Sequence, residues 1–225
     1  YEIDPVWEAG NKNIPGIYIE FKEPWLNPKG FEQIVYDVLA NTQDMNIIEK
    51  PEPEDTPFYI NNGTINVGNT NGKVILQTFS LESLVRVAEV FQGKVPMCFL
   101  LWKGTGATDL TYDDPLGYAS FINLGVKYKA HFIGPCIAGA PNDYPELDQP
   151  WQDYLIHRAK MKNHPYTFDT YDQMAKYFGQ YNFGVADGMF NPPYLDALFT
   201  NHSDMSINYM ITHGWRKSPA SQTLV

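Results

Sequence analysis

The chain has 225 residues, 44% hydrophobic and 19% charged, enough to bury a sizeable core in one large domain or two small ones. Its net charge of −10, with no Lys/Arg-rich run, argues against general binding to nucleic acid; the acidity is spread widely and reads as solubility. No apolar run reaches the roughly 18–20 residues of a membrane helix, and no signal-like segment precedes the first patterned stretch.

In chain order, Ile17-Tyr18-Ile19-Glu20-Phe21-Lys22 predicts a strand. The side-chain period of two puts Ile17, Ile19 and Phe21 on one face and Tyr18, Glu20 and Lys22 on the other. Phe31, Ile34, Val35 and Val38 recur at helical spacing within 28–40. The stretch 41–73 breaks the rhythm with an acidic, Pro-rich run at 49–55 and an Asn-Gly turn at Asn62-Gly63. It is expected to form an insertion, a lid or rim, within a single domain. A strand follows at 74–79. The clearest helix comes next, capped by Ser80, striped by Leu81, Leu84, Val85, Ala88 and Phe91, and stopped at Gly93. A strand at 96–102 precedes a helix capped by Asp114, opened by Pro115 and ending at Gly125. Residues 131–138 read as a strand, 150–162 as a helix and 165–168 as a short strand. Thr170 starts a helix closing at Gly179, 195–200 is the last strand, and 205–225 is a weakly patterned polar tail.

Strands alternating with helices of this length predict an α/β fold with a parallel sheet. No Gly-rich phosphate fingerprint follows any strand, so a (β/α)8 barrel is favoured over a doubly wound nucleotide fold.

The polar face of 17–22 carries the sharpest chemical signal. A charge near a strand end is costly to bury unless it is paired or holds a ligand. Glu20 offers a hard oxygen ligand for a divalent metal, and Lys22 a point charge for a phosphoryl oxygen. The plainer alternative is a salt bridge on a strand edge. Cys98 and Cys136 lack zinc or redox spacing; free buried thiols and a single disulfide both remain open. The sequons at Asn62 and Asn201 lean towards a secreted, extracellular protein.

Four stretches taken together resemble the glycerophosphodiester phosphodiesterase family, a (β/α)8 TIM barrel. Tyr18-Ile19-Glu20-Phe21-Lys22 is similar to its fourth-strand Glu-x-Lys element. Leu76-Gln77-Thr78-Phe79-Ser80-Leu81 is similar to its Gln-Ser-Phe strand and the helix that follows. Pro165-Tyr166-Thr167-Phe168-Asp169 stands where a Trp-Thr-Val-Asn-like strand is usual, and Asp196-Ala197-Leu198-Phe199-Thr200-Asn201 resembles the final Asp-Gly-x-Phe-Thr-Asn strand. The resemblance implies that this chain supplies roughly strands 4–8. An N-terminal segment or second chain would complete the barrel and bring the catalytic His pair and a metal-binding Glu-x-Asp. Glu2-Ile3-Asp4 matches that pair in letters, but its position fits the preceding helix better. The five histidines, at 131, 157, 164, 202 and 213, lie in the wrong segments for the catalytic pair.

The implied activity is metal-dependent hydrolysis of glycerophosphodiesters to glycerol phosphate and an alcohol. Glu20 would bind Ca²⁺ or Mg²⁺, and Lys22 would neutralise charge growing on the phosphoryl oxygens. Gln77 and Tyr166 would bind substrate, though a buried amide and core packing are their plainer roles. Lys103 would extend the anion site or remain a solvated loop lysine. Two other readings compete. One is a catalytically silent barrel with a structural or binding role. The other is a glycosidase, for which Glu20 and Asp187 would be the facing carboxylates.

Overall fold

A computed structural model describes residues 17–23, 25–41, 74–102, 113–180 and 195–214. Five strands alternate with helices: β1 (Ile17–Glu20), α1 (Phe31–Asn41), β2 (Val74–Thr78), α2 (Leu81–Phe91), β3 (Met97–Leu101), α3 (Pro115–Lys127), β4 (Phe132–Pro135), α4 (Pro150–Arg158), β5 (Lys162–Asn163), α5 (Tyr171–Ala175) and α6 (Ser203–Thr212). All neighbouring pairs are parallel, in the order β1-β2-β3-β4-β5. Among the described residues no helix is long and apolar enough to cross a membrane. The expected insertion, 42–73 of which follows α1, lies outside the described residues, as do Glu2, Asp4, Asn62, Lys103, Asp187 and the end of the tail.

Local chemistry places these elements. The Ser80 side chain accepts the Ser83 N–H at the start of α2. Asp114 accepts from Leu116 and Gly117, 2.9 Å each, ahead of the Pro115 that opens α3. Thr170 and Gln173 form a capping box on α5, which passes into a π turn at Lys176–Gln180. At the end of α2 both Gln92 and Gly93 take the left-handed conformation, with φ of 54° and 76°.

Three boundaries differ from expectation. The helix predicted over 150–162 stops at Arg158, and its last expected residue, Lys162, opens β5. The expected strand at 165–168 is a continuation of β5: His164, Tyr166 and Ile137 carry on the hydrogen-bond ladder between this segment and β4. The supposed tail contains a helix, α6, whose Tyr209 packs with Phe168, Tyr177 and Leu195.

The extended segment 196–200 runs alongside β5 in the same direction, Ala197 donating to the Asn163 carbonyl and Phe199 to that of Pro165. One face of the sheet is covered by α1–α4, burying Phe21, Leu76, Leu84, Phe91, Phe99, Phe121 and Ile133. Glu32 of α1, 1% exposed, binds Arg86 of α2 at 2.9 Å and ties these two helices together. The other face is concave. Its cluster joins Cys98, Leu100 and Phe132 to Tyr18, Ile75, Phe79 and Tyr166. Across it Tyr18 of β1 bonds His164 at 3.0 Å and meets the Phe199 ring edge-on at 4.8 Å. The first strand and the last extended segment therefore face each other over this interior.

Candidate active site

The alternation of β1 decides which side chains reach the concave face. Phe21 is buried under the helices, while Glu20 and Lys22 turn inward at the carboxyl end of the strand. They open onto a cavity of about 290 Å³. Its wall is completed by Gln77 and Phe79 from the end of β2, Leu100 of β3, Tyr166 and Thr167 beyond β5, and Phe199, Thr200 and Asn201. The four residues singled out by sequence, Glu20, Lys22, Gln77 and Tyr166, thus line one cavity, although they come from three separate segments.

Lys22 Nζ stands 3.7 Å from Glu20 Oε2, and Gln77 Nε2 donates to the same oxygen at 3.4 Å. Both contacts are long, so Glu20 is oriented rather than locked. Its carboxyl is held above the usual range by burial, against the opposing pull of Lys22 and Gln77. The Lys22 side chain is 72% exposed at the mouth. With its nitrogen turned to Glu20, Gln77 leaves Oε1 buried and without a partner among the described residues. An acceptor left unpaired and buried in this way costs the fold free energy.

The Tyr166 hydroxyl donates to the Leu101 carbonyl at 3.0 Å, so the side chain presents its ring to the cavity and not a free hydroxyl. Asn201 is clamped by Asp169, which accepts its backbone N–H and its Nδ2, both at 2.8 Å. This gives the Asn201 sequon a different meaning: its amide nitrogen is engaged and its side chain lines the cavity wall.

Sequence reading did not single out Phe79, Leu100, Thr167 or the 199–201 wall for binding. The signal was present in the alternation of Leu76-Gln77-Thr78-Phe79, which puts Gln77 and Phe79 on one face, and in the Phe199-Thr200-Asn201 motif itself.

None of the five histidines lines the cavity. His131 is buried, its Nδ1 accepting the Met97 N–H at 3.1 Å, and burial pulls it down to about 3. His164 stacks on Phe132 at 4.1 Å and is lowered by burial to about 4. Cys98 and Cys136 are buried free thiols, both pushed up to about 12 chiefly by burial.

The oxygen donors fit a hard divalent cation in type, through the two oxygens of the Glu20 carboxylate. In number they are few. Among the described residues no group of three or more His, Cys, Asp or Glu side chains is placed to hold a metal. Compared with models of known protein families and with characterised proteins, the chain matches none.

Proposed function

We propose that this cavity is the active site of a metal-dependent phosphodiesterase acting on glycerophosphodiesters. It would lie at the mouth of a (β/α)8 barrel to which this chain contributes roughly strands 4–8. The observation that carries the reading is the anion–cation pair Glu20–Lys22 at the carboxyl end of a parallel strand, sharing one cavity with Gln77 and Tyr166. Ligands of α/β sheets bind at that end of the strands.

When bound, Ca²⁺ or Mg²⁺ would polarise the phosphoryl group. Glu20 supplies one oxygen ligand, and the remaining anionic ligands come from the segment that completes the barrel. Lys22 sits beside the reacting group and offsets the negative charge that grows on its oxygens. Gln77 contacts the substrate from the cavity wall, and the Tyr166 ring walls the glycerol. Acid–base work falls to a His pair from the segment that completes the barrel; His131, His157, His164, His202 and His213 of this chain all lie away from the cavity. A glycosidase needs two facing carboxylates, and Glu20 is the one carboxylate among the described lining residues. An extracellular location accompanies this reading.

A second reading, a silent barrel with a binding role, is favoured by one observation: Lys22 at 3.7 Å from Glu20 is also the geometry of a plain ion pair. Turnover of glycerophosphocholine by the completed protein, with added Ca²⁺ or Mg²⁺ and then with chelator, separates the two. The phosphodiesterase reading expects activity only with the cation. Glu20→Gln lowers cation affinity and rate together. Lys22→Ala keeps the cation but slows turnover by about 10²-fold or more. Full activity in chelator overturns the metal mechanism, and none with any cation leaves the silent barrel.

A further inference from the structure

The connections leaving the carboxyl ends of the strands carry exposed apolar side chains around the cavity mouth. In the turn between β1 and α1, Trp25 and Leu26 are 71% and 70% exposed. The turn is held in shape: Leu26 N–H donates to the Glu23 carbonyl at 2.8 Å and the Asn27 amide to that of Lys22 at 2.9 Å. Exposed Glu23 and Lys29 flank it. At the same end, Trp102 beyond β3 and Tyr144 in the β4–α4 connection meet edge-on at 6.3 Å, and Tyr144 meets the cavity-wall ring of Tyr166 at 6.0 Å.

A singly exposed Leu is ordinary. An exposed Trp-Leu tip beside a lysine, at the same end of the sheet as a Trp–Tyr pair, has the composition of a lipid–water interface. There, amphipathic rings sit at headgroup level and lysines meet phosphates. A folded protein partner needs a continuous surface of about 800 Å² per side. The apolar groups here are separate loop tips around a hollow, which a fluid surface accommodates and a rigid one does not.

We propose that this end of the molecule docks on a phospholipid bilayer surface, with Trp25 and Leu26 entering the headgroup layer and Lys29 facing lipid phosphates. The net charge of −10 selects a zwitterionic surface over an anionic one. Docking of this kind is independent of the chemistry inside the cavity.

The test is co-sedimentation of the full chain with phosphatidylcholine vesicles, together with tryptophan emission. The wild type should sediment with vesicles and its emission should shift to the blue. Trp25→Ser/Leu26→Ser should lower partitioning at least ~10-fold, because two side chains leave the apolar layer. Ile34→Ser/Val38→Ser, which changes exposed apolar residues on α1 away from the mouth, should partition as the wild type. Far-UV circular dichroism checks that both variants are folded. A wild type that stays in the supernatant overturns the proposal. So does a Trp25/Leu26 variant that binds undiminished, or a control that loses binding equally.

Discussion

Asn163 donates through one amide nitrogen to two carboxylates, Asp148 Oδ1 and Asp153 Oδ1, each at 2.8 Å. Both acids are fully buried, Asp153 within α4 and Asp148 just ahead of it. Two atoms of the cluster have no partner, Asp148 Oδ2 and Asn163 Oδ1. A proton on Asp148 Oδ2 removes a charge that has no partner and leaves Oδ1 accepting from the Asn163 amide. Burial first, and then the charge of Asp153, pushes Asp148 well above the carboxylate range. Asp148 therefore keeps a proton in the fold that the unfolded chain releases above about 3.8, and stability falls as pH rises from there towards the raised value. His157 acts in the same direction at higher pH. Burial pulls it down, but the Asp153 and Asp196 carboxylates, 3.1 and 2.8 Å away, outweigh this and hold it at about 10. Its contribution is complete below about 6.5 and is lost as pH climbs to about 10. Asp196 has the opposite sign. Burial opposes it, but bonds from His157, Lys162 and the Asn163 N–H hold it at about 2, so its contribution is lost as pH falls through that value. Asp148→Asn keeps an acceptor for the Asn163 amide without a titrating group. It should leave the protein folded and flatten the decline of Tm with rising pH, as followed by circular dichroism. An unchanged slope rules out the buried proton. None of this was legible in the sequence, where Asp148 and Asp153 look like solvating acids. Burial is decided by what packs over a residue, not by its neighbours in the chain.

Elements with strong local chemistry were the legible ones. Ser80, the Asp114-Pro115 pair and Thr170 announce α2, α3 and α5 because capping bonds span only a few residues. The helix α6 has no such cue. Its N-cap, His202, makes no side-chain capping bond, and packing of Tyr209 against Phe178 and His213 holds it instead. The over-long reading of α4 has a similar cause: Ala159, Lys160 and Met161 are good helix formers, yet Lys160 takes a φ of 63° and the chain turns into β5. Within β4, Gly134 marks where the concave face is tightest. A Cβ there would lie 2.7 Å from Leu100 Cδ2, 2.9 Å from Cys98 Sγ and 3.1 Å from the His164 carbonyl oxygen. Gly134→Ala should cost about 1–3 kcal/mol in urea unfolding, because the carbonyl belongs to the neighbouring strand and cannot step aside. A cost near zero would mean that the interior is looser than these distances.

At the scale of the molecule, the parallel α/β order was legible because each strand and helix carries its own period. The facing of β1 and the 196–200 segment was not, since contacts so distant in sequence leave no local trace. The site shows the same division. The inward turn of Glu20 and Lys22 follows from the alternation of one strand, whereas their meeting with Thr167 and Asn201 depends on how the sheet curves. Phe199 is a keystone of that curvature through its contact with Tyr18. Phe199→Ala should lower stability by ~2 kcal/mol, less than the 3–5 of a fully buried Phe because it is only partly buried. It should also loosen the cavity wall, read as faster hydrogen exchange at Tyr18 and His164; unchanged exchange at both would show that the curvature does not depend on this ring. The bond from Tyr18 to His164 joins positions 146 apart, and Phe199 lies farther still. At synthesis rates of roughly 5–20 residues per second, β1 waits many seconds for the groups that cover its inner face. Throughout that interval the nascent chain holds Tyr18 and its neighbours bare. This fold therefore completes only after residue 199 clears the ribosome, because a contact of such sequence separation closes late.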